Sequence, residues 1–157
     1  MRNEIGCYGV EAMHTPNMDA FAADPDTVTF ERAYVQQAIC NPSRTSFLTS
    51  RRPDTTRVYD LVHYWRNVGG NFTTIPEHFK LSGYTTAGAG KVFHPLGQSG
   101  HLDDEPYSWS PQYPYFHASA ESNQKYANFS HCFYNITDVS DDQLPDGEIT
   151  QHTLSTL

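Results

Sequence analysis

The sequence predicts an α/β layer fold, and three observations carry that prediction. Helix-like and strand-like segments alternate along residues 16–90. The 157 residues are 38% hydrophobic and 13% aromatic, which suits one folded domain with a real core but not two. Finally, Cys40 and the Lys91/His94 pair both follow segments that read as strands. Sites in open α/β sheets gather beyond the carboxyl ends of strands.

The elements follow in order. Thr15-Pro16-Asn17-Met18-Asp19, then Ala20-Phe21-Ala22-Ala23, predicts a short helix capped by Asn17, with Asp19 in its first turn. Asp24-Pro25-Asp26 ends it. Residues 28–35 alternate β-favouring side chains and predict a strand leading toward Cys40. A turn and helix follow over residues 39–51, with Pro42 in the first turn, where an amide has no helical partner anyway, and Pro53 as the stop. Residues 58–62 read as a short strand or a turn. Thr74-Ile75-Pro76-Glu77 is a capping box opening a helix that presents Ile75 and Phe79 on one face and stops at Gly83. Residues 84–90 read as a small, buried strand. From His94 the periodicity fails: Pro95, Pro106, Pro111, Pro114 and Pro145 punctuate a Tyr-, Ser- and Asp-rich stretch over 95–146. Such a stretch is a functional loop or a loosely ordered region. Residues 147–157 read as the start of a helix.

The net charge of −8 is uneven. Lys/Arg and Asp/Glu balance over residues 1–100, while Lys125 alone faces nine acids over 101–157. Four of the ten basic residues, Arg44, Arg51, Arg52 and Arg57, crowd the stretch after Cys40. A basic cluster in an acidic chain can focus one anionic ligand, whereas a nucleic-acid surface needs a broader basic face. With no run of about 18 apolar residues, a membrane span is not expected. The three cysteines, Cys7, Cys40 and Cys132, form no Cys-x-x-Cys pair, which argues against a zinc ribbon or thioredoxin-like centre. Acceptor sequons at Asn71, Asn128 and Asn135 tilt toward glycosylation in the secretory pathway. Residues 1–6 lack the apolar core of a signal peptide, so either the protein stays in the cytosol or its true N-terminus precedes Met1.

Chemistry converges on four residues. Cys40 stands just ahead of a helix start, where unpaired amides and the helix dipole favour negative charge. Arg44, one turn on, can reach back to it and suits bidentate oxyanion recognition. Lys91 supplies a compact point charge, and His94 can donate to an oxyanion or move a proton. Together they form an anion site with one nucleophile. Taken singly, the same residues fit a small buried cysteine before an ordinary helix, a surface lysine and a structural loop histidine.

The longer pattern adds a resemblance. Cys40-Asn41-Pro42-Ser43-Arg44 with Leu48-Thr49 downstream resembles the signature of type I sulfatases, in the alkaline phosphatase superfamily. The likeness continues through Arg51-Arg52-Pro53-Asp54, Tyr64-Trp65-Arg66, Gly70-Asn71-Phe72-Thr73, Gly90-Lys91-Val92-Phe93-His94-Pro95, Asp103-Asp104 and Pro106-Tyr107-Ser108-Trp109. It implies an alkaline-phosphatase-like fold with a mixed sheet flanked by helices. Residues 1–157 would be the N-terminal portion of the catalytic domain, incomplete, with 1–94 as its α/β part and 95–146 as a long irregular loop region.

In that family the signature cysteine is converted to formylglycine by a formylglycine-generating enzyme, so the resemblance implies that Cys40 would act as an aldehyde hydrate. One hydroxyl, on a bound Ca2+, attacks sulfur, and the second helps release sulfate. By position, Arg44 would hold the formylglycine, Lys91 and His94 would bind the sulfate or leaving oxygen, and Cys40 would be a metal ligand. The matched stretches also imply a lysosomal or secreted enzyme that removes the 2-O-sulfate of iduronate in sulfated glycosaminoglycans (heparan and dermatan sulfate). Two departures matter. Ser50 stands where the signature usually has glycine. The family's paired aspartate falls before Met1 and its Asp-His pair beyond Leu157, so this chain reads as an internal piece that is inactive alone. Two other readings stay open: an ester hydrolase of the same superfamily with another substrate, and a non-catalytic product that binds sulfated glycans.

Overall fold

The computed structural model describes residues 4–119 and 139–157. Cys132, Asn128 and Asn135 lie outside the described residues. The chain divides into two compact units, Met1–Val35 and Gln36–Leu157.

In the first unit a 3-10 turn at Gly6–Tyr8 precedes helix α1, Pro16–Ala23. The N-cap is Thr15 rather than Asn17, because Pro16 takes the first helical position its fixed φ suits. Asp19 ties the two elements: its Oδ1 accepts from Cys7 N at 2.7 Å and from Thr15 Oγ1 at 3.1 Å. Asp24 turns the chain by accepting from Asp26 N at 2.8 Å. Both aspartates thus serve as helix-end residues. The strand predicted over 28–35 does not form. Val28, Phe30, Tyr34 and Val35 are exposed, and alternation alone gives no ladder without a partner strand.

The second unit contains helices α2 (Cys40–Thr49), α3 (Pro53–Thr56), α4 (Trp65–Val68), α5 (Ile75–Leu81) and α6 (Pro145–Thr156). The face of α2 that goes inward is largely polar, and Asn41 and Thr49 find partners there. Asn41, 1% exposed, donates Nδ2 to the carbonyls of Asp60 at 3.0 Å and His63 at 2.8 Å. Thr49 Oγ1 returns to Thr45 O at 2.7 Å.

Helix α2 ends well before Pro53. Ser50 turns left-handed at φ 55°, ψ 34°, and the amides of Ser50 and Arg51 both return to Ser46 O. Glycine is the residue that enters this conformation without steric cost. Ser50→Gly is therefore expected to stabilise the unit by about 0.5–1 kcal/mol, read as a higher denaturant midpoint at unchanged slope.

The capping box forms as read: Thr74 Oγ1 accepts from Glu77 N, and Glu77 Oε2 accepts from Thr74 N, each at 3.2 Å. Ile75 and Phe79, however, lie on the surface. Phe79 is covered instead by an edge-on contact with Tyr84, ring centroids 5.4 Å apart.

The expected mixed sheet is not formed among the described residues. Among the described residues the only β pairing is a parallel bridge between Ala89 and Phe116. Residues 84–90 do run beside 110–116: Ser110 N bonds Thr86 O, Phe116 N bonds Gly88 O and Gly90 N bonds Phe116 O. Between these contacts the partner segment carries Pro111 and Pro114, which have no amide to donate, so no ladder propagates. Side chains fill in, with Ser110 Oγ accepting from Thr86 N at 2.9 Å.

The hydrophobic core is Leu48, Val58, Trp65, Phe93 and Trp109, with Tyr64, Val68, Phe72, Val92 and Tyr115 packed around it. Its centre is a run of rings: Trp65 stacks on Phe93 (5.4 Å), Phe93 meets Trp109 edge-on (6.0 Å), and Trp109 meets Tyr115 (5.2 Å). The segment after residue 95, read as a functional or loosely ordered loop, contributes Trp109 to the core and Tyr115 to its edge. Phe93 and Trp109 anchor the backbone that carries Lys91 and His94.

Candidate active site

Cys40 is the first residue of α2, and its thiol is exposed. Lys91 Nζ approaches Cys40 Sγ to 3.7 Å, although 51 residues separate them. Helix α2 thus presents the sulfur at its N-terminus, where the dipole favours developing negative charge, and Lys91 adds a cation to the same point.

Arg44 does not spend its hydrogen bonds on Cys40. Its Nη1 donates to the carbonyls of Lys91 and of Val92, the latter at 2.8 Å. The guanidinium joins the helix bearing the cysteine to the turn bearing the lysine, and leaves a cation at the site. Arg51 and Arg52 do not join it: both are exposed, and Arg51 caps Thr49 O at 2.7 Å and lies over the Phe72 ring.

His94 follows three residues on. Its Nδ1 is buried with no hydrogen-bond partner. Burial first, then the charges of Lys91 and Arg44, hold its imidazole below the usual histidine range. A group with a depressed folded pKa contributes stability that is present above its unfolded pKa and lost as pH falls through the folded one. The thermal midpoint should accordingly fall between about pH 7 and about pH 5, and His94→Gln should flatten part of that fall.

Two polar clusters were not singled out as chemistry in the sequence. Arg66, buried under Tyr107, donates Nε to Asp104 Oδ1 at 2.7 Å, and Nη2 to Asp104 Oδ2 at 2.9 Å and Glu77 Oε2 at 2.8 Å. Tyr64 and Ser108 hydroxyls also donate to Asp104, which is fully buried. Burial first, then the hydrogen bond to Asp104 and that carboxylate's charge, push the Tyr64 phenol up. The second cluster is Asp103 with His117 Nε2, 2.7 Å apart, beside a cavity of about 320 Å3 that Lys91 and Phe93 also line. Burial raises the Asp103 carboxyl, partly offset by His117. The Tyr64-Trp65-Arg66 and Asp103-Asp104 runs were visible in the sequence, but nothing there shows that residues 38 apart form one ion pair.

Calcium takes six to eight oxygens. Among the described residues no three His, Cys, Asp or Glu side chains gather to hold a metal ion, and the charged groups converging near Cys40 are cations. These residues do not fit calcium. Asn71 is exposed, with its side-chain oxygen accepting from Arg66. No described helix is long and apolar enough to cross a membrane.

Lys91, Arg44 and His94 thus gather cationic and titratable groups around the cysteine at the start of α2. The chain belongs to the sulfatase family, whose family model matches residues 1–151. It is 44% identical to the iduronate 2-sulfatase of Homo sapiens over 168 aligned positions, covering 100% of this chain and 30% of that protein. The iduronate 2-sulfatase of Mus musculus is 45% identical over the same spans. Arylsulfatase A of Homo sapiens is 35% identical over 100 positions, 62% of this chain and 19% of that protein. The chain thus spans 30% of the length of the iduronate 2-sulfatases it matches.

Proposed function

We propose that this chain carries the nucleophile and sulfate-binding part of a sulfuric ester hydrolase, with Cys40 as the precursor of formylglycine. The observation that carries the reading is the 3.7 Å approach of Lys91 Nζ to Cys40 Sγ at the start of α2. Its exposure leaves Cys40 open to a formylglycine-generating enzyme. Once formed, the aldehyde hydrate supplies an oxygen nucleophile where the thiol stands. Lys91 then faces the sulfate oxygens, where a positioned cation stabilises the charge that grows on them. Arg44 acts on that reaction by fixing Lys91. His94, held toward its neutral form, is suited to donate a hydrogen bond or a proton to the leaving oxygen.

Alignment of this whole chain with iduronate 2-sulfatases supports, as its substrate, the 2-O-sulfate of iduronate in heparan or dermatan sulfate. Glycosylation at Asn71 and a lysosomal or secreted location accompany this reading, and calcium enters as a cofactor of the longer protein. The test is a substrate panel on that longer protein: 2-O-sulfated disaccharide, aryl sulfate and phosphonate ester. Turnover greatest on the disaccharide supports the reading, while preference for either other ester moves the chain to another branch of the superfamily. Expressed alone, the 157 residues should release negligible sulfate, because the described residues gather no metal site; calcium-dependent release by the isolated chain would contradict this.

A further inference from the structure

We infer that Tyr115 is a positioning residue for Lys91, acting through a single hydroxyl that grips the backbone on both sides of it. Tyr115 Oη donates to Gly90 O at 2.6 Å and accepts from Val92 N at 3.0 Å. One oxygen thus holds the residue before Lys91 and the residue after it, using both its donor and an acceptor lone pair. The clamp closes from the other side through Arg44, whose Nη1 takes the carbonyls of Lys91 and Val92. Lys91 is held between the segment bearing Tyr115 and the helix bearing Cys40.

The phenol is itself fixed. Tyr115 N donates to Glu105 Oε1 at 2.9 Å, and its ring lies 5.2 Å from the Trp109 ring. Gly88 makes room for it: a Cβ there would come within 2.7 Å of the Tyr115 ring and 2.8 Å of the Trp109 ring. Burial, with the Asp103 charge adding, pushes the phenol up to about 12, so it keeps its proton and its donor. A tyrosine serving only as filler would need none of the hydroxyl contacts, and phenylalanine would replace it without effect on Lys91.

The catalytic importance of the clamp rests on Lys91 as the sulfate-binding cation, but its geometry can be read without turnover. In the 157-residue chain with Cys40 left as a thiol, a short amine-to-thiol cross-linker should join Lys91 to Cys40, mapped by mass spectrometry. Tyr115→Phe should lower that yield severalfold and speed Val92 amide exchange about tenfold. Thr74→Ala, which removes the α5 cap and a bond to Ser108 but no bond to Tyr115 or Lys91, should leave the cross-link unchanged. An undiminished cross-link in folded Tyr115→Phe, or an equal fall in Thr74→Ala, overturns the inference. Should Tyr115→Phe not fold, the unsubstituted chain decides: a Val92 amide exchanging at the unstructured rate overturns the clamp, and one protected about tenfold supports it. In the longer protein, Tyr115→Phe should cost turnover with Lys91 present and nothing further in Lys91→Ala; additive losses overturn the catalytic role. An intact clamp beside an inactive longer protein would count against the sulfatase reading alone.

Discussion

Asp104→Ala is expected to destabilise the second unit by about 3–5 kcal/mol, the largest stability effect this structure predicts for a single side chain. Asp104 is fully buried and takes two of the Arg66 bonds, the Tyr64 hydroxyl and the Ser108 hydroxyl. Removing it leaves a guanidinium, 6% exposed, with Glu77 and Asn71 to bond, and takes the partner of the Tyr64 hydroxyl, while Ser108 Oγ keeps Thr74 Oγ1 at 2.6 Å. Burial works against the Arg66 charge, and it is the bonds to Asp104 and Glu77 that hold its pKa up. Asp104→Asn keeps the size but loses the charge and one acceptor, so its loss should be smaller. Urea unfolding followed by tryptophan fluorescence reads both, since Trp65 and Trp109 flank the network. A loss under about 1 kcal/mol for Asp104→Ala would mean that the pair is solvated and contributes little.

Lys91→Ala should lower sulfate release by the longer protein about 100- to 1,000-fold, the range for removing one preorganised charge-stabilising donor. The fall belongs in kcat/KM, with the fold intact, because Lys91 is exposed and its backbone bonds survive the truncation. Lys91→Arg should recover only part of the loss. A planar guanidinium is longer and cannot place a point charge where the ammonium sits, 3.7 Å from the Cys40 sulfur. Equal rates for Lys91→Ala and the unsubstituted protein would remove Lys91 from the sulfate site.

The helices that the sequence foretold are those with local signals: the Thr74/Glu77 box, the proline at the start of α1 and the proline in the first turn of α2. Each is decided by residues within one turn. The strands failed because a strand needs a partner. Residues 28–35 have none among the described residues, and 84–90 meet a segment broken by Pro111 and Pro114. The nearness of Cys40 to Lys91 was inferred from two strand ends and a resemblance, and the geometry brings them together without that sheet. Arg44 was placed on Cys40 because helical spacing permits it; spacing cannot reveal two backbone carbonyls 47 and 48 residues away. Tyr115 gave no signal at all, since a tyrosine in a proline-rich stretch reads as loop until its hydroxyl is seen to bridge Gly90 and Val92.

The central claim is that Cys40 becomes the aldehyde nucleophile of a sulfuric ester hydrolase. One measurement meets it directly: free sulfate released from a 2-O-sulfated iduronate disaccharide by the longer protein, with the Cys40 peptide of the same sample analysed by mass spectrometry. The account predicts sulfate release that rises in proportion to the fraction of Cys40 converted to formylglycine and vanishes in Cys40→Ala. No release from a sample with fully converted Cys40, or full release with Cys40 still a thiol, would contradict it.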